Sequence, residues 1–241
     1  APPGCIPLTE DQMKTYYGRH CVHGRDDEGC NKETGCPENG MATHGFTLLN
    51  PGLTIGDIPI SLDAPYGPSL EFRIKYLQRR NGTLAVVPTN IGNMGSIWSH
   101  NYSEWIELKG TGTPNTQVNL VTGDGSYFSY HTPVLANGVY TYAARYEDRP
   151  SLEWSASQFT LRYKDGSWRR YGLAAGTTRY LLTQIVDNQG SAATLTYDSS
   201  FRLIKITDAT GRFLQIGYTP VAGDGVSSDT MKIRSVTDSH G

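Results

Sequence analysis

The sequence predicts an all-β protein, and three observations support this fold class. Turn signals recur about every 8 to 20 residues, with short runs of alternating apolar and polar residues between them. Val, Ile, Thr and Tyr, which favour strands, dominate these runs, and the chain holds 15 Tyr but only 6 Phe. The last part of the chain repeats itself, which is typical of antiparallel hairpins stacked into a curved β-sheet strip.

Residues 1–45 form a leader with little strand pattern. It contains all the cysteines of the chain, which are Cys5, Cys21, Cys30 and Cys36. An even number of cysteines in a short polar segment is typical of a disulfide-stapled cap in an oxidising compartment, although the sequence does not choose among the possible pairings. The alternative is a zinc site that also uses His20 and His23, but the spacing does not match a Cys-x-x-Cys knuckle.

Residues 46–180 are predicted to form a β-rich domain that precedes the repeats. Gly56-Asp57 is predicted to be a hairpin turn, and Asp165-Gly166 is predicted to be another. Tyr140 to Tyr142 is predicted to be a short strand that follows Asn137-Gly138. Pro65-Tyr66-Gly67-Pro68 is predicted to be a rigid break between strands.

Strict alternation identifies a strand from Glu71 to Tyr76. Its odd-numbered residues are charged and its even-numbered residues are apolar. Because side chains alternate between the two faces of a strand, we expect Phe72, Ile74 and Tyr76 to face the core.

Residues 181–241 contain a repeat whose third copy stops at Gly241. Each copy has two apolar residues three positions apart, then an Asp, then a Gly three positions further on, and the first two copies continue to a Tyr. The matching residues are Leu182, Ile185, Asp187, Gly190 and Tyr197 in copy one, Leu203, Ile206, Asp208, Gly211 and Tyr218 in copy two, and Ile233, Val236, Asp238 and Gly241 in copy three. Copy three is delayed by an inserted polar stretch from Ala222 to Asp229.

Each copy predicts a hairpin with its turn between Asp and Gly. Glycine supplies the positive φ that such a turn needs, and the Asp side chain can accept hydrogen bonds from the turn amides. The alternative is a calcium-binding ladder of Asp187, Asp208 and Asp238. Since a single hairpin is not stable in water, and since the third copy is cut short, we expect this chain to be one end of a larger assembly.

These repeats resemble the YD repeats of Rhs proteins, of the C subunits of tripartite toxins and of teneurins. The stretch from Gly190 through Tyr197-Asp198 to Thr207-Asp208 follows the family pattern, whereas the second copy has Tyr218-Thr219 in place of Tyr-Asp. The resemblance covers residues 46–241 and implies a β-sheet strip that spirals into a hollow shell. In toxins of this family the shell encloses a toxic domain, and in teneurins it is a scaffold for adhesion.

Few other residues suggest chemistry. Trp98 and Trp105 are candidates for stacking on a sugar ring, although Trp in a strand is more often part of a core. Asn81 and Asn101 lie in glycosylation sequons. The chain has no nucleophile elbow, zinc-protease motif or Walker loop, and we therefore expect no catalytic site, metal or cofactor.

The sequence as a whole favours a non-enzymatic, secreted structural protein, either a shell or a self-assembling extracellular polymer. Its open β edge is expected to pair with further repeat chain or with another copy of itself. The alternatives are a carbohydrate-binding or adhesion module, with glycans as partners, and the N-terminal shell fragment of an Rhs-type polymorphic toxin. A net charge of −2 gives no sign of a nucleic-acid partner, and no apolar run is long enough to predict a membrane span.

Overall fold

The computed structural model describes residues 42–46, 53–77, 93–94, 97–109, 113–123, 126–142, 149–219 and 230–239. All regular structure in these ranges is antiparallel β-sheet, which confirms the all-β prediction for them. In the same ranges no helix has the length and apolar character needed to cross a membrane. The predictions for Asn81, Gly241 and the cysteine-containing leader, including its disulfide and zinc alternatives, lie outside the described residues.

A small sheet is built from the first four strands, in the order β1-β2-β3-β4. These strands are β1 (Thr43–Phe46), β2 (Leu53–Leu62), β3 (Leu70–Leu77) and β4 (Trp98–His100). As expected from the alternation, Phe72 in β3 is buried, and Ile74 and Tyr76 are half-buried.

The prediction of a hairpin turn at Gly56-Asp57 is wrong, because β2 runs straight through both residues. Asp57 lies opposite Ile74 and Ile60 lies opposite Phe72, so β2 has one residue more than β3 over this interval. Pro59 falls within this β-bulge. Because the bulge interrupts the hydrogen-bond ladder, the N–H that proline lacks is not needed there. The Asp57 carboxylate accepts a hydrogen bond from the Ile58 amide at 2.8 Å and stabilises the local bend.

A larger sheet contains the other thirteen strands. Its members are β5 (Trp105–Leu108), β6 (Val118–Val121), β7 (Tyr127–Tyr130), β8 (Val134–Ala136), β9 (Val139–Tyr142), β10 (Ser151–Ser155), β11 (Gln158–Arg162), β12 (Trp168–Ala175), β13 (Arg179–Val186), β14 (Ala192–Tyr197), β15 (Leu203–Thr207), β16 (Phe213–Gly217) and β17 (Ser235–Asp238).

Ten of these strands, β8 to β17, are hydrogen-bonded in chain order. The sheet branches at β13, whose first residues, Arg179 to Leu181, pair with β5 as well as with β12. Strands β6 and β7 extend the branch from β5. One sheet therefore crosses the boundary at residue 180 that the sequence suggested between two domains.

The two sheets share one apolar core. Leu70 and Phe72 of the small sheet belong to the same buried cluster as the inward residues of the large one, which include Leu152, Phe159, Leu161, Leu182, Leu195, Ile206, Leu214 and Ile216. On the opposite face of the repeat strands, Thr194, Thr196, Gln215 and Thr237 are exposed. The alternation predicted from the sequence thus gives the strip one apolar and one polar face.

Candidate functional site at the repeat turns

Three turns in the repeat region share one hydrogen-bonding pattern, namely Asp187–Ser191, Asp198–Arg202 and Asp208–Arg212. In each turn the first amide donates to the fifth carbonyl at 2.8 to 3.0 Å, and the fourth amide donates back to the first carbonyl at 3.0 to 3.2 Å. One carboxylate oxygen of the Asp accepts the amides of the third and fifth residues at 2.8 to 3.0 Å. The Asp side chains therefore cap turns, as Asp side chains commonly do.

The fourth position of these turns has a positive φ. It is occupied by Gly190 (φ 89°) and Gly211 (φ 91°) in two turns, but by Phe201 (φ 61°) in the third. The Asp198–Arg202 turn was not predicted, because it lacks the glycine of the repeat pattern. The spacing of Asp198 and Arg202, which is the same as that of Asp208 and Arg212, was the signal that could have identified it.

Two arginines complete the turns in which they stand at the fifth position. The Arg202 Nε donates to Asp198 Oδ2 at 2.6 Å, and the Arg212 Nε donates to Asp208 Oδ2 at 2.9 Å. Each guanidinium also reaches beyond its own turn. Arg202 Nη1 donates to the carbonyl of Thr230 at 2.6 Å, and Arg212 Nη2 donates to the carbonyl of Asp63 at 2.7 Å.

These contacts keep the capping carboxylates ionised. Burial alone would raise the pKa of Asp208, but hydrogen bonds from the side chains of Thr210 and Arg212 and from the turn amides hold it below the ordinary 3.8. In Asp198 the same opposition between burial and hydrogen bonds, chiefly from Arg202, also lowers the pKa. The hydrogen bonds of these Asp side chains are those of turn capping, and within the described residues no group of three or more His, Cys, Asp or Glu is placed to hold a metal ion.

Each repeat tyrosine ties the return strand of its hairpin to the first strand of the same hairpin. Tyr197 donates its hydroxyl to the carbonyl of Leu182 at 2.7 Å, and Tyr218 donates to the carbonyl of Leu203 at 2.9 Å. Burial raises the pKa of both hydroxyls well above 10, so they remain donors at any ordinary pH. The remaining repeat residues singled out as core are buried (Leu182, Leu203 and Ile206) or half-buried (Ile185, Ile233 and Val236).

The Pro65–Pro68 corner of the small sheet lies directly on two successive repeat turns. A Cβ on Gly67 would be 3.0 Å from the Cβ of Ser191 and 3.3 Å from that of Ala209. Because Gly67 also has a φ of +83°, only glycine fits there without strain. The predicted break at Pro65–Pro68 is therefore also a contact between the two sheets.

The third repeat copy is held by a residue far away in the chain. The Ile233 amide donates to the carbonyl of Asn93 at 2.8 Å, and Asn93 Nδ2 donates to the carbonyl of Met231 at 2.7 Å. Asp238 ends β17, opposite Leu214 of β16.

The structure corrects the proposed stacking role of Trp105, which is 1% exposed and packs against Val121 and Leu181. Its indole is thus part of a core and out of reach of a sugar. Trp98 is half-buried, with its ring centroid 5.2 Å from that of Tyr76.

The Asn101 sequon is part of the fold. Asn101 Oδ1 accepts the Arg73 amide at 3.0 Å, and its Nδ2 donates to the carbonyl of Glu71 at 2.9 Å. The next two residues, Tyr102 and Ser103, are buried. The Asn101 side-chain nitrogen, to which a glycan would be attached, is therefore hydrogen-bonded to β3 in the folded chain.

A buried carboxylate that no sequence motif indicates lies just before β5. Glu104 is 2% exposed; it pairs with Arg169 and accepts the hydroxyl hydrogen of Tyr171, both on β12. This cluster fastens the branch of the large sheet to the main strip.

Comparisons with known proteins agree with the repeat pattern. A family model described as RHS Repeat matches residues 181–212, which run from β13 to the Asp208–Arg212 turn, and this confirms the resemblance to YD repeats for that stretch. The chain is also similar to a solved structure titled "Crystal Structure of TcdB2-TccC3 without hypervariable C-terminal region". The identity is 14%, the TM-score is 0.46, and the match covers 76% of this chain but 12% of that one. No curated protein matches the chain.

Proposed function

Because residues 181–212 form an RHS repeat, we propose that this chain is a non-enzymatic structural part of an Rhs-type β assembly. The observation that carries the proposal is the path from β8 to β17, in which ten strands follow one another in chain order within one sheet. In such an array each hairpin buries its apolar face only beside its neighbours, so the array is extended by adding hairpins.

Three carboxylates that could serve acid–base chemistry hold the fold instead. Asp198 and Asp208 each accept two backbone amides and an arginine, and Glu104 accepts Arg169 and Tyr171. These groups therefore support a scaffold role and not catalysis.

We further propose that the protein is secreted and forms part of a shell, either in a self-assembling extracellular polymer or around the cargo of an Rhs-type toxin. The partner is further repeat chain, or a second copy, added beside β17. Within the described residues β17 pairs only with β16, and its other backbone edge is the place for β-augmentation.

A matched pair of threonine variants tests the role of this edge. Thr237 on β17 and Thr194 on β14 are both exposed on the polar face, but only Thr237 lies on the edge strand. A lysine on an edge strand discourages pairing with another chain. In sedimentation velocity over a range of concentrations, we expect the parent chain and Thr194→Lys to associate and Thr237→Lys to remain monomeric. A parent chain that stays monomeric throughout would exclude self-assembly and leave only the role within a longer repeat chain.

The carbohydrate-binding alternative depends on Trp98, since Trp105 is buried. A glycan array that compares the parent with Trp98→Ala tests it, with Trp168→Ala as the control because Trp168 is also half-buried. Binding that is lost only in the Trp98 variant would favour an adhesion module over a scaffold.

A further inference from the structure

We propose that the Asp198–Arg202 and Asp208–Arg212 turns are carbonyl clamps, meaning turns whose arginine binds the backbone carbonyl of a distant segment. The two clamps fix such segments at opposite ends of the repeat strands. The carboxylate of each turn holds the arginine, and the arginine captures a backbone carbonyl from outside the turn. The clamp deepens the proposed structural role and rests on it.

The two turns are built alike, although they face different segments. In each, Nε of the arginine donates to Oδ2 of the aspartate four residues earlier, and a terminal nitrogen donates to a carbonyl outside the turn. This nitrogen is Nη1 in Arg202 and Nη2 in Arg212, and Nη2 of Arg212 also lies 2.8 Å from Asp208 Oδ2. The Asp208 side chain has no exposed surface, and that of Arg212 is 30% exposed. Since guanidinium has five donors in a rigid plane, fixing one side of the group orients the remaining donors.

The captured group is a backbone carbonyl, which every residue carries. Arg212 takes the carbonyl of Asp63, in the corner between β2 and β3, and Arg202 takes that of Thr230, which follows the insertion Ala222–Asp229 in the sequence. These segments share no sequence pattern. The clamp therefore recognises a backbone carbonyl and does not depend on the side chain of the residue that carries it.

The Asp187–Ser191 turn, which has no arginine, shows why arginine is placed selectively. At the fifth position of Asp187–Ser191 the residue is serine, and Gly67 of the corner packs against its Cβ. An arginine there would occupy the space that the corner needs. Thus the Asp208–Arg212 turn binds the corner through the Asp63 carbonyl, and the Asp187–Ser191 turn packs against the corner at Gly67.

Hydrogen exchange on the full chain tests the clamps separately. The Ala64 amide, bonded to Ser69 Oγ at 3.1 Å, reports on the corner, and the Arg234 amide, bonded to the Gly217 carbonyl at 2.8 Å, reports on the segment after Thr230. The variants are Arg212→Ala and Arg202→Ala. The control is Arg162→Ala, which removes an exposed pair with Glu153 on the polar face.

Losing a charge-assisted hydrogen bond should speed the local opening by about tenfold or more. We expect Arg212→Ala to accelerate exchange at Ala64 but not at Arg234, Arg202→Ala to do the reverse, and Arg162→Ala to change neither. The milder variants Arg212→Lys and Arg202→Lys should show the same selectivity, and they replace the alanine variants if those do not fold.

Equal acceleration of both reporters in either variant, or no acceleration in both, would overturn the clamp. Circular dichroism separates this result from a failure of the proposed function. If the parent chain has a β-sheet spectrum and the reporters do not respond selectively, only the clamp is wrong. If the parent chain has no sheet at all, the scaffold role is wrong as well.

Discussion

The capping aspartates show how one residue type organises the repeat. Asp208 accepts hydrogen bonds from two turn amides through Oδ1 and from the arginine through Oδ2, so both of its carboxylate oxygens are hydrogen-bonded. An uncompensated carboxylate in such a buried place would be costly. The pKa of Asp208 is lowered, which indicates that the hydrogen bonds of the turn outweigh the cost of burying the charge.

We expect Asp208→Asn to destabilise the protein by about 1.5–3 kcal/mol at pH 7, because the new amide nitrogen would face the Arg212 donors. The folded pKa of Asp208 lies below 3.8, so its contribution is complete above that pH and is lost as the pH falls through the folded value. Urea unfolding from pH 7 to pH 3 should therefore show a steeper loss of stability below about pH 4 in the parent than in Asp208→Asn.

The control for this experiment is Asp165→Asn, in the exposed turn between β11 and β12. Its pKa is also lowered, by hydrogen bonds from the Ser167 side chain and amide, but the carboxylate is open to solvent. A loss in Asp165→Asn as large as in Asp208→Asn would show that burial and the arginine add nothing to the capping role.

Single residues of the site were predictable where the chemistry is local. Asp and Gly at a fixed spacing specify a capped turn, and the structure has such turns at Asp187 and Asp208. Phe201 could not be anticipated in the glycine position, because its positive φ is offset by packing near Trp105, Val121 and Leu181, which only the fold brings together.

At the scale of elements, the two tightest hairpins differ in how well their turns suit their residues. β8 and β9 are joined by Asn137 (φ 50°) and Gly138 (φ 77°), the favoured pair for this turn. β10 and β11 are joined by Ala156 (φ 49°) and Ser157 (φ 62°), both outside the conformations that they prefer. The β10–β11 hairpin therefore carries backbone strain in its turn that the β8–β9 hairpin does not.

Replacing Ala156 and Ser157 together by Asn and Gly should stabilise the protein by about 0.5–2 kcal/mol, since both residues are exposed and only the backbone preference changes. The reciprocal change, Asn137→Ala with Gly138→Ser, should destabilise it. Urea midpoints would measure both effects. A decrease in stability of the first variant would mean that the strain does not reside in this turn.

Strand positions were largely predictable from alternation and turn signals, but the bulge in β2 was not. Gly56-Asp57 has the composition of a hairpin turn, yet the flanking residues on both sides are strand formers that pair with β3. Tertiary pairing overrode the local signal, as it often does for short motifs.

At the scale of the whole molecule, Glu104 links parts of the chain that the repeats alone do not connect. It precedes β5, the strand by which the branch joins β13, and it binds Arg169 and Tyr171 of β12. The sequence could not reveal this pair, because 65 residues separate Glu104 from Arg169. For the same reason the pairing of β5 with β13 could not be predicted, whereas the chain-order path of the repeat strands could.

Removing one partner of a buried pair leaves the other charge uncompensated, so Glu104→Ala should destabilise the protein by about 3–5 kcal/mol. The double variant Glu104→Leu with Arg169→Met should recover part of this loss, because neither charge then remains in the interior, while the buried Tyr171 hydroxyl still lacks its acceptor. Urea unfolding of both variants measures the difference. A double variant as unstable as the single one would show that packing around Glu104, and not its charge, holds the branch.

The repeat unit has a consequence for how such a gene can change. From Asp187 to Asp208 the chain makes two strands and returns to the same end of the strip with the same face inward. An in-frame duplication or deletion of this one unit therefore preserves the alternation of faces, the side on which each turn lies and the neighbours of every other strand. Unequal crossing-over between copies would produce strips of different lengths that remain foldable, so length is the property of such a protein that can vary most readily between lineages.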